Sequence, residues 1–233
     1  MSADHTSKDF DQSLQRAREL VGVMAARVER QLADAIEALH SGSAALIAQI
    51  LRHEAEVNGL ERAIDEFGGQ IIARRHPAAR DLRLVMALLG ATTDLERVGD
   101  EAKKMALYAR SIHSAPRPLL PKIAELQPMA ALVYEMLRQA TQALERLDPK
   151  AAAALVRRDL EVNERFRAVL AKLARFMVED ARVISVGLDI LFAAKSLERI
   201  GDHAKNIAEH AVYAAMGKDV RHASAEEIED LLT

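Results

Sequence analysis

Cysteine and tryptophan are absent from this chain of 233 residues. The first absence excludes disulfides, thiolate zinc sites, iron-sulfur clusters held by cysteine and a cysteine nucleophile, and it fits a reducing compartment. Aromatic residues make up only 3% of the chain, which leaves little for stacking on nucleic-acid bases. Glycine (10) and proline (6) are scarce too, about half of average usage, so a turn-rich β protein is not expected. The 32 Lys and Arg nearly balance the 35 Asp and Glu, for a formal charge of -3. A generic polyanion binder needs a basic surface that releases counterions, so no nucleic-acid partner is expected. No apolar run approaches the roughly 18–20 residues of a membrane-spanning helix; the densest, Leu82 to Leu89, contains Arg83. The polar start MSADHTSKDF lacks the apolar stretch of a signal peptide. The expectation is a cytoplasmic protein with no membrane span.

What is present is alanine above all, in a composition that is 50% hydrophobic and 29% charged. Alanine loses no side-chain entropy in a helix, so long helices with few connections are expected. Four of the six prolines fall between Pro116 and Pro128, and proline breaks a helix interior, so this cluster marks a connection between two halves. In the first half, apolar residues recur at helical spacing from Leu14 to Leu39, Ser41-Gly42-Ser43 ends that helix, a second runs from about Ala44 to Arg75, and a third starts with Pro77 in its first turn. The second half reads as a helix from about Met129 to Leu147, a cap at Asp148-Pro149, and a long helical stretch broken near Glu179-Asp180. The expected fold is all-α, two tandem three-helix bundles. The expected bounds are 8–114 for the first bundle, 115–121 for a Pro-rich linker, 122–217 for the second bundle and 218–233 for a tail.

The two halves share a repeat. DLERVGDEAKKMALYA (94–109) and SLERIGDHAKNIAEHA (196–211) align without gaps with nine of sixteen positions identical, and Glu56-Val57-Asn58 is answered by Glu161-Val162-Asn163. A repeat of this length is one supersecondary unit used twice. Leu84, Leu88, Ala91, Leu95, Val98, Ala102 and Met105 form an apolar stripe on the third helix, its core face. Glu96 and Asp100 project together from another face, as do Glu198 and Asp202 in the second copy. Like charges four residues apart on a helix repel, so something should compensate them. Basic neighbours such as Arg97, Lys103, Arg199 and Lys205 are one answer; a hard or borderline cation is the other. Gly99 and Gly201 lie between the acids in both copies, where a helix interior normally disfavours glycine, as if a neighbouring helix or an ion must come close. Glu209 lies on the stripe of Glu198 and Asp202, whereas Lys104 stands near the first pair, so the second pair is expected to bind a cation more strongly.

Other constellations are weaker. Glu37 and His40 have E-x-x-H spacing, but a di-iron bundle needs two such motifs and there is no second. His203 and His210 read as surface or packing histidines. The basic turn from Arg74 to Arg80 reads as a solvated charged turn. No catalytic residue set is apparent.

The segments LERVGD, LERIGDHAKNIAE, LADAIEALH, AIDEFGGQIIARRHPAARDLRLVMALL, FMVEDARVIS and GKDVRH closely resemble the PhoU family of bacterial phosphate-transport accessory proteins and negative regulators of the phosphate-starvation response. The resemblance covers nearly the whole chain, in order. It implies two three-helix bundles, a homodimer, and in some members metal sites on E/D-x-x-x-D motifs, which fall here on Glu96, Asp100, Glu198 and Asp202. The ion would be divalent or trivalent (Mg, Mn, Fe or Zn). The resemblance also implies a non-enzymatic regulator that contacts the ATPase subunit of the phosphate importer and the phosphate sensor histidine kinase, peripherally recruited to the inner membrane through those partners. The alternatives are a metal-dependent carboxylate-bundle enzyme, which would need a further base or histidine ligand and an open coordination position, and a purely structural helical dimer.

Overall fold

A computed structural model describes residues 3–75, 77–116, 126–221, 223 and 225–231. Within them lie seven α-helices and no strand: α1 (Ala3–Ser41), α2 (Ala44–Arg75), α3 (Ala79–Ser114), α4 (Leu126–Arg146), α5 (Pro149–Glu179), α6 (Ile184–Met216) and the short α7 (Ala225–Asp230). The connections are made by the expected residues. Gly42 ends α1 with φ 67°, a left-handed conformation open to glycine. Asp148 caps α5 by accepting from the backbone N–H of Lys150 and Ala151, with Pro149 in the first turn. Asp180 stops α5 and caps a single 3-10 turn, Ala181–Val183, ahead of α6. Pro77 differs from expectation. Ala78, in extended conformation, is the N-cap of α3, so the proline stands one residue before the cap and outside the helix. The expected linker lies outside the described residues from Arg117 onward.

α3 and α6 form the most extensive helix pair, at the centre of the molecule. They run antiparallel: contacts of Asp94 with His203 and His210 are followed by Glu101 with Arg199, Tyr108 with Phe192 and Ser111 with Asp189. α1 and α2 flank α3, and α4 and α5 flank α6. The apolar stripe of α3 is core as expected, with Leu88, Ala91, Leu95, Val98, Ala102 and Met105 buried and Leu84 packed against them. Buried residues of both bundles merge into one continuous core, and a smaller cluster of Val169, Leu173, Val183, Val186, Ile190 and Ala194 lies where α5 meets α6. The tail is not merely a tail: α7 packs on α5, and Val220 and Ile228 are buried.

The repeated glycines face the same neighbour in each copy, more tightly at Gly201 than at Gly99. A side chain at Gly99 would meet Val57 at 3.4 Å, and one at Gly201 would meet Val162 at 3.3 Å. The two glycines therefore receive the central valines of the two Glu-Val-Asn triplets, joining the two repeated motifs within each bundle. Gln31 Nε2, fully buried, donates to the Gly99 carbonyl at 3.1 Å.

Candidate functional site

The first acid pair is surrounded by more acids. Glu96 and Asp100 stand on α3, and α2 brings Glu61 within range of both their charges, with Asp65 beside Glu61. Burial first, then the charges of Asp100 and Glu61, push the Glu96 carboxyl above its ordinary range. Glu61 is raised by burial, then by Asp65 and, more weakly, Asp100. Glu61 and Asp65 are themselves an E-x-x-x-D pair, four residues apart on α2. Sequence reasoning missed it because it does not recur in the second half, although its spacing was visible. The cations here are Arg97, whose Nε lies 3.8 Å from Glu96 Oε2, Arg62, whose charge acts on Glu61, and Lys103, ion-paired with Glu54.

The second pair is built differently. Glu198 and Asp202 on α6 share their surroundings with Asp159 of α5, another acid that sequence reasoning did not single out. Asp202 is held up at about 6 by loss of water first, then by the charges of Glu198 and Asp159; the residue is exposed at the surface, so water screens part of that repulsion. Asp159 is buried, its pKa raised by that burial, and its Oδ1 has no hydrogen-bond partner. A buried, unpartnered carboxylate oxygen beside two more acids has the hard-oxygen chemistry that Mg²⁺ or Mn²⁺ takes, so the donor set fits such an ion in kind. As they stand, however, no three histidine or carboxylate side chains among the described residues are arranged to hold a metal ion together.

Two reasons for ranking the pairs do not hold. Lys104 turns away from Glu96 and Asp100 and pairs with Glu101 at 2.8 Å. Glu209 is buried, 4.0 Å from Lys205 Nζ, and its charge acts on Arg221 of the tail, whereas the acids acting on Asp202 are Glu198 and Asp159.

The histidines read as surface or packing groups have a specific partner. Asp94 of α3 contacts His203 Nδ1 at 2.8 Å and His210 Nε2 at 3.1 Å, and accepts from Asn206 Nδ2 at 3.0 Å. An ionised carboxylate only accepts hydrogen bonds, so each imidazole nitrogen facing it carries a proton. Burial alone would raise Asp94, but the bonds from His203, then His210 and Asn206, outweigh it and hold the carboxyl at about 2. In the second copy Ser196 aligns with Asp94, and the acid at the matching contact is Glu101 of α3, aligned with His203; it is buried and likewise lowered: burial opposes, and Lys104, Ser196 and Arg199 prevail. Asp94, Asp202, Lys205, Asn206, Glu209, His210 and Arg221 line an open cleft of about 430 Å³ between α3, α6 and the tail. No described helix is long and apolar enough to cross a membrane. In the basic turn, His76 lies outside the described residues.

The PhoU domain family model matches residues 21–109 and again 126–211. The chain is 43% identical over 225 residues to a phosphate-specific transport system accessory protein PhoU homolog of Burkholderia sp, covering 96% of both chains. It is 36% identical over 228 residues to the phosphate-specific transport system accessory protein PhoU of Escherichia coli (strain K12), covering 98% of this chain and 94% of that one. Among solved structures, the crystal structure of PhoU from Pseudomonas aeruginosa superposes with a TM-score of 0.86 at 37% identity, over 90% of this chain and 100% of that chain. The fold is shared also with the phosphate transport system regulatory protein PhoU from Streptococcus pneumoniae, with a TM-score of 0.83 at 23% identity, over 91% of this chain and 99% of that one.

Proposed function

The chain belongs to the PhoU family and has a role in phosphate transport regulation; on that premise we propose that it acts without turnover of its own, as a negative regulator of phosphate uptake and of phosphate-starvation signalling. It works by contact with the ATPase subunit of the phosphate importer and with the sensor histidine kinase, as a cytoplasmic homodimer recruited peripherally to the inner membrane by those partners. The observation that carries this reading is the match over nearly the full length of chains named as accessory proteins. Six long helices also offer extended faces for partner proteins. Regulation by contact requires tighter binding to one state of a partner than to another, since equal affinity shifts nothing. Deleting the gene should leave phosphate-starvation genes on in phosphate-rich medium, and pull-downs should recover the ATPase and the kinase in amounts that change with nucleotide or phosphate status. A deletion strain that silences those genes normally in high phosphate refutes the regulatory reading.

The metal reading belongs to this proposal. Glu96 and Asp100, and Glu198 and Asp202, would hold divalent or trivalent ions, with Glu61, Asp65 and Asp159 beside them. A bound ion would supply positive charge that lowers the repulsion among these acids. What the chain itself does is place the acids from α2 and α3, or from α5 and α6, where one helix pair can be tied to the other through charge.

A further inference from the structure

The two acid clusters occupy equivalent places in the repeat, yet their surroundings are not equivalent. Aligned on the motif, Lys195 of α6 stands where α3 has Thr93, whose hydroxyl only bonds back to the Leu89 carbonyl at 3.4 Å. Aligned on the Glu-Val-Asn triplets, Phe166 of α5 stands where α2 has Glu61. These two differences meet in space. The Lys195 ammonium sits 5.4 Å from the centre of the Phe166 ring and 2.6 Å from Glu198 Oε2. An aromatic face attracts a cation electrostatically, and Phe166 is fixed by packing against both hydrophobic clusters, so the ammonium is held between a π-face and a carboxylate. Its contact with Glu198 is one of charge, not of an aligned hydrogen bond. Lys195 does not satisfy the whole cluster: Lys205 acts on Asp159 through its charge, yet Asp159 Oδ1 stays buried without a hydrogen-bond partner.

We propose that Lys195 is the resident cation of the second acid cluster, and that a divalent ion can occupy Glu198, Asp202 and Asp159 only by displacing its ammonium. The first cluster has no lysine held in this way: Thr93 carries no charge, Glu61 adds another acid, and the nearest cation, Arg97, is an exposed side chain 3.8 Å from Glu96 that can turn to water. Two sites that the repeat makes look alike are thereby divided, one open to exchangeable metal and one closed by the chain's own lysine. This inference rests on the metal reading above. It reverses the order of affinity that Glu209 and Lys104 suggested.

The test uses Mn²⁺ as the probe, with free ion counted by electron paramagnetic resonance and binding checked by thermal shift. The parent is compared with Lys195→Met and Lys195→Arg, each also in a Glu96→Gln/Asp100→Asn background that silences the first cluster. In that background Lys195→Met should bind Mn²⁺ at least about tenfold more tightly than Lys195 protein, the scale of removing one close like charge at a partly buried site. In chelator Lys195→Met should melt below the parent, and Mn²⁺ should restore its melting temperature; Lys195→Arg should behave as the parent in both assays. A purely structural lysine would give the loss in chelator without the rescue. If the parent binds Mn²⁺ but Lys195→Met binds no more tightly in the silenced background, the lysine proposal is overturned and the metal reading stands. If none of the proteins binds Mn²⁺, the metal reading itself fails and the proposal with it.

Discussion

α3 and α6 carry the same motif and meet antiparallel, so each position of one copy finds itself opposite a position of the other. Where the sequences agree, the structures agree: Gly99 and Gly201 each take a valine from the adjoining helix. Where they differ, the two ends of the interface diverge. At one end Phe192 stacks on Tyr108 with ring centroids 5.7 Å apart. At the other, the aligned residues are Gly90 and His210, and the missing side chain leaves the imidazole room to reach Asp94. One end is closed by apolar contact. The other is held by a charged hydrogen-bond cluster. Duplication supplied a symmetric frame, and single substitutions gave its two ends different chemistry.

The sharpest way to break this comparison is to remove the acid from each end. Asp94→Ala deprives two imidazoles and an amide of their shared acceptor in a half-buried site, which should cost about 2 kcal/mol and lower the Tm by roughly 4–8 °C for a chain of this size. Glu101→Ala should lose about half as much, because Lys104 and Arg199 are long, half-exposed cations that can turn to water. Differential scanning calorimetry decides it, and an equal loss in both variants would contradict the assignment of the charged end to Asp94. The pH dependence carries a sign as well. Asp94 is lowered in the folded state from 3.8 to about 2, so its stabilisation is fully present above 3.8 and is lost as pH falls toward 2. The gap between parent and Asp94→Ala should therefore close in that window.

The glycines sharpen the comparison at smaller amplitude. A methyl at Gly90 would lie 2.4 Å from His210 Cε1, so the ring must move and its bond to Asp94 must loosen. At Gly99 the same methyl meets Val57 at 3.4 Å, an ordinary contact. Replacing a helix-interior glycine by alanine is worth about 1 kcal/mol in propensity. Gly99→Ala should keep most of that and melt up to about 2 °C higher, whereas Gly90→Ala should lose it and melt lower than the parent. Matching shifts in the two variants would refute the role given to Gly90.

Periodicity and caps made the helices legible: Ser41-Gly42-Ser43, Asp148-Pro149 and Asp180 each stop or start a helix by local chemistry that needs no tertiary information. The α3 core stripe was legible for the same reason. Pro77 stands before the cap and not in the first turn, since proline is tolerated on either side of a cap and sequence alone does not choose. Partners across helices were not legible. Whether Lys104 neutralises Asp100 or Glu101 depends on side-chain direction, and the pairing of Asp94 with His203 and His210 depends on how α3 and α6 cross, which no spacing within one helix encodes. Glu61 and Asp65 could have been found by scanning for the same four-residue acid spacing outside the repeat. Asp159 carries no such signal, because it is one acid on α5 whose significance comes only from what α6 brings beside it.

The smallest expected effect concerns two motif acids whose folded pKa is raised, Glu96 in the first copy and Asp202 in the second. Asp202 goes from 3.8 to about 6, so the folded state holds its proton more tightly than the unfolded chain does. Stability from this group is present below 3.8 and is lost as pH rises through about 6, the opposite sense to Asp94. Asp202→Asn removes that loss. In chelator at pH 7 it should therefore raise the Tm, by about 1–2 °C because water screens an exposed carboxylate, and at pH 3.5 it should change little. Glu96→Gln should shift in the same direction, since burial, Asp100 and Glu61 raise Glu96 as well. Excess Mn²⁺ should reverse the sign for whichever copy binds it, because the neutral variant then lacks a ligand that the parent keeps. Thermal melts at two pH values, with and without Mn²⁺, test both copies at once: a variant that still melts higher than the parent at pH 7 in excess Mn²⁺ belongs to a copy that does not hold the ion.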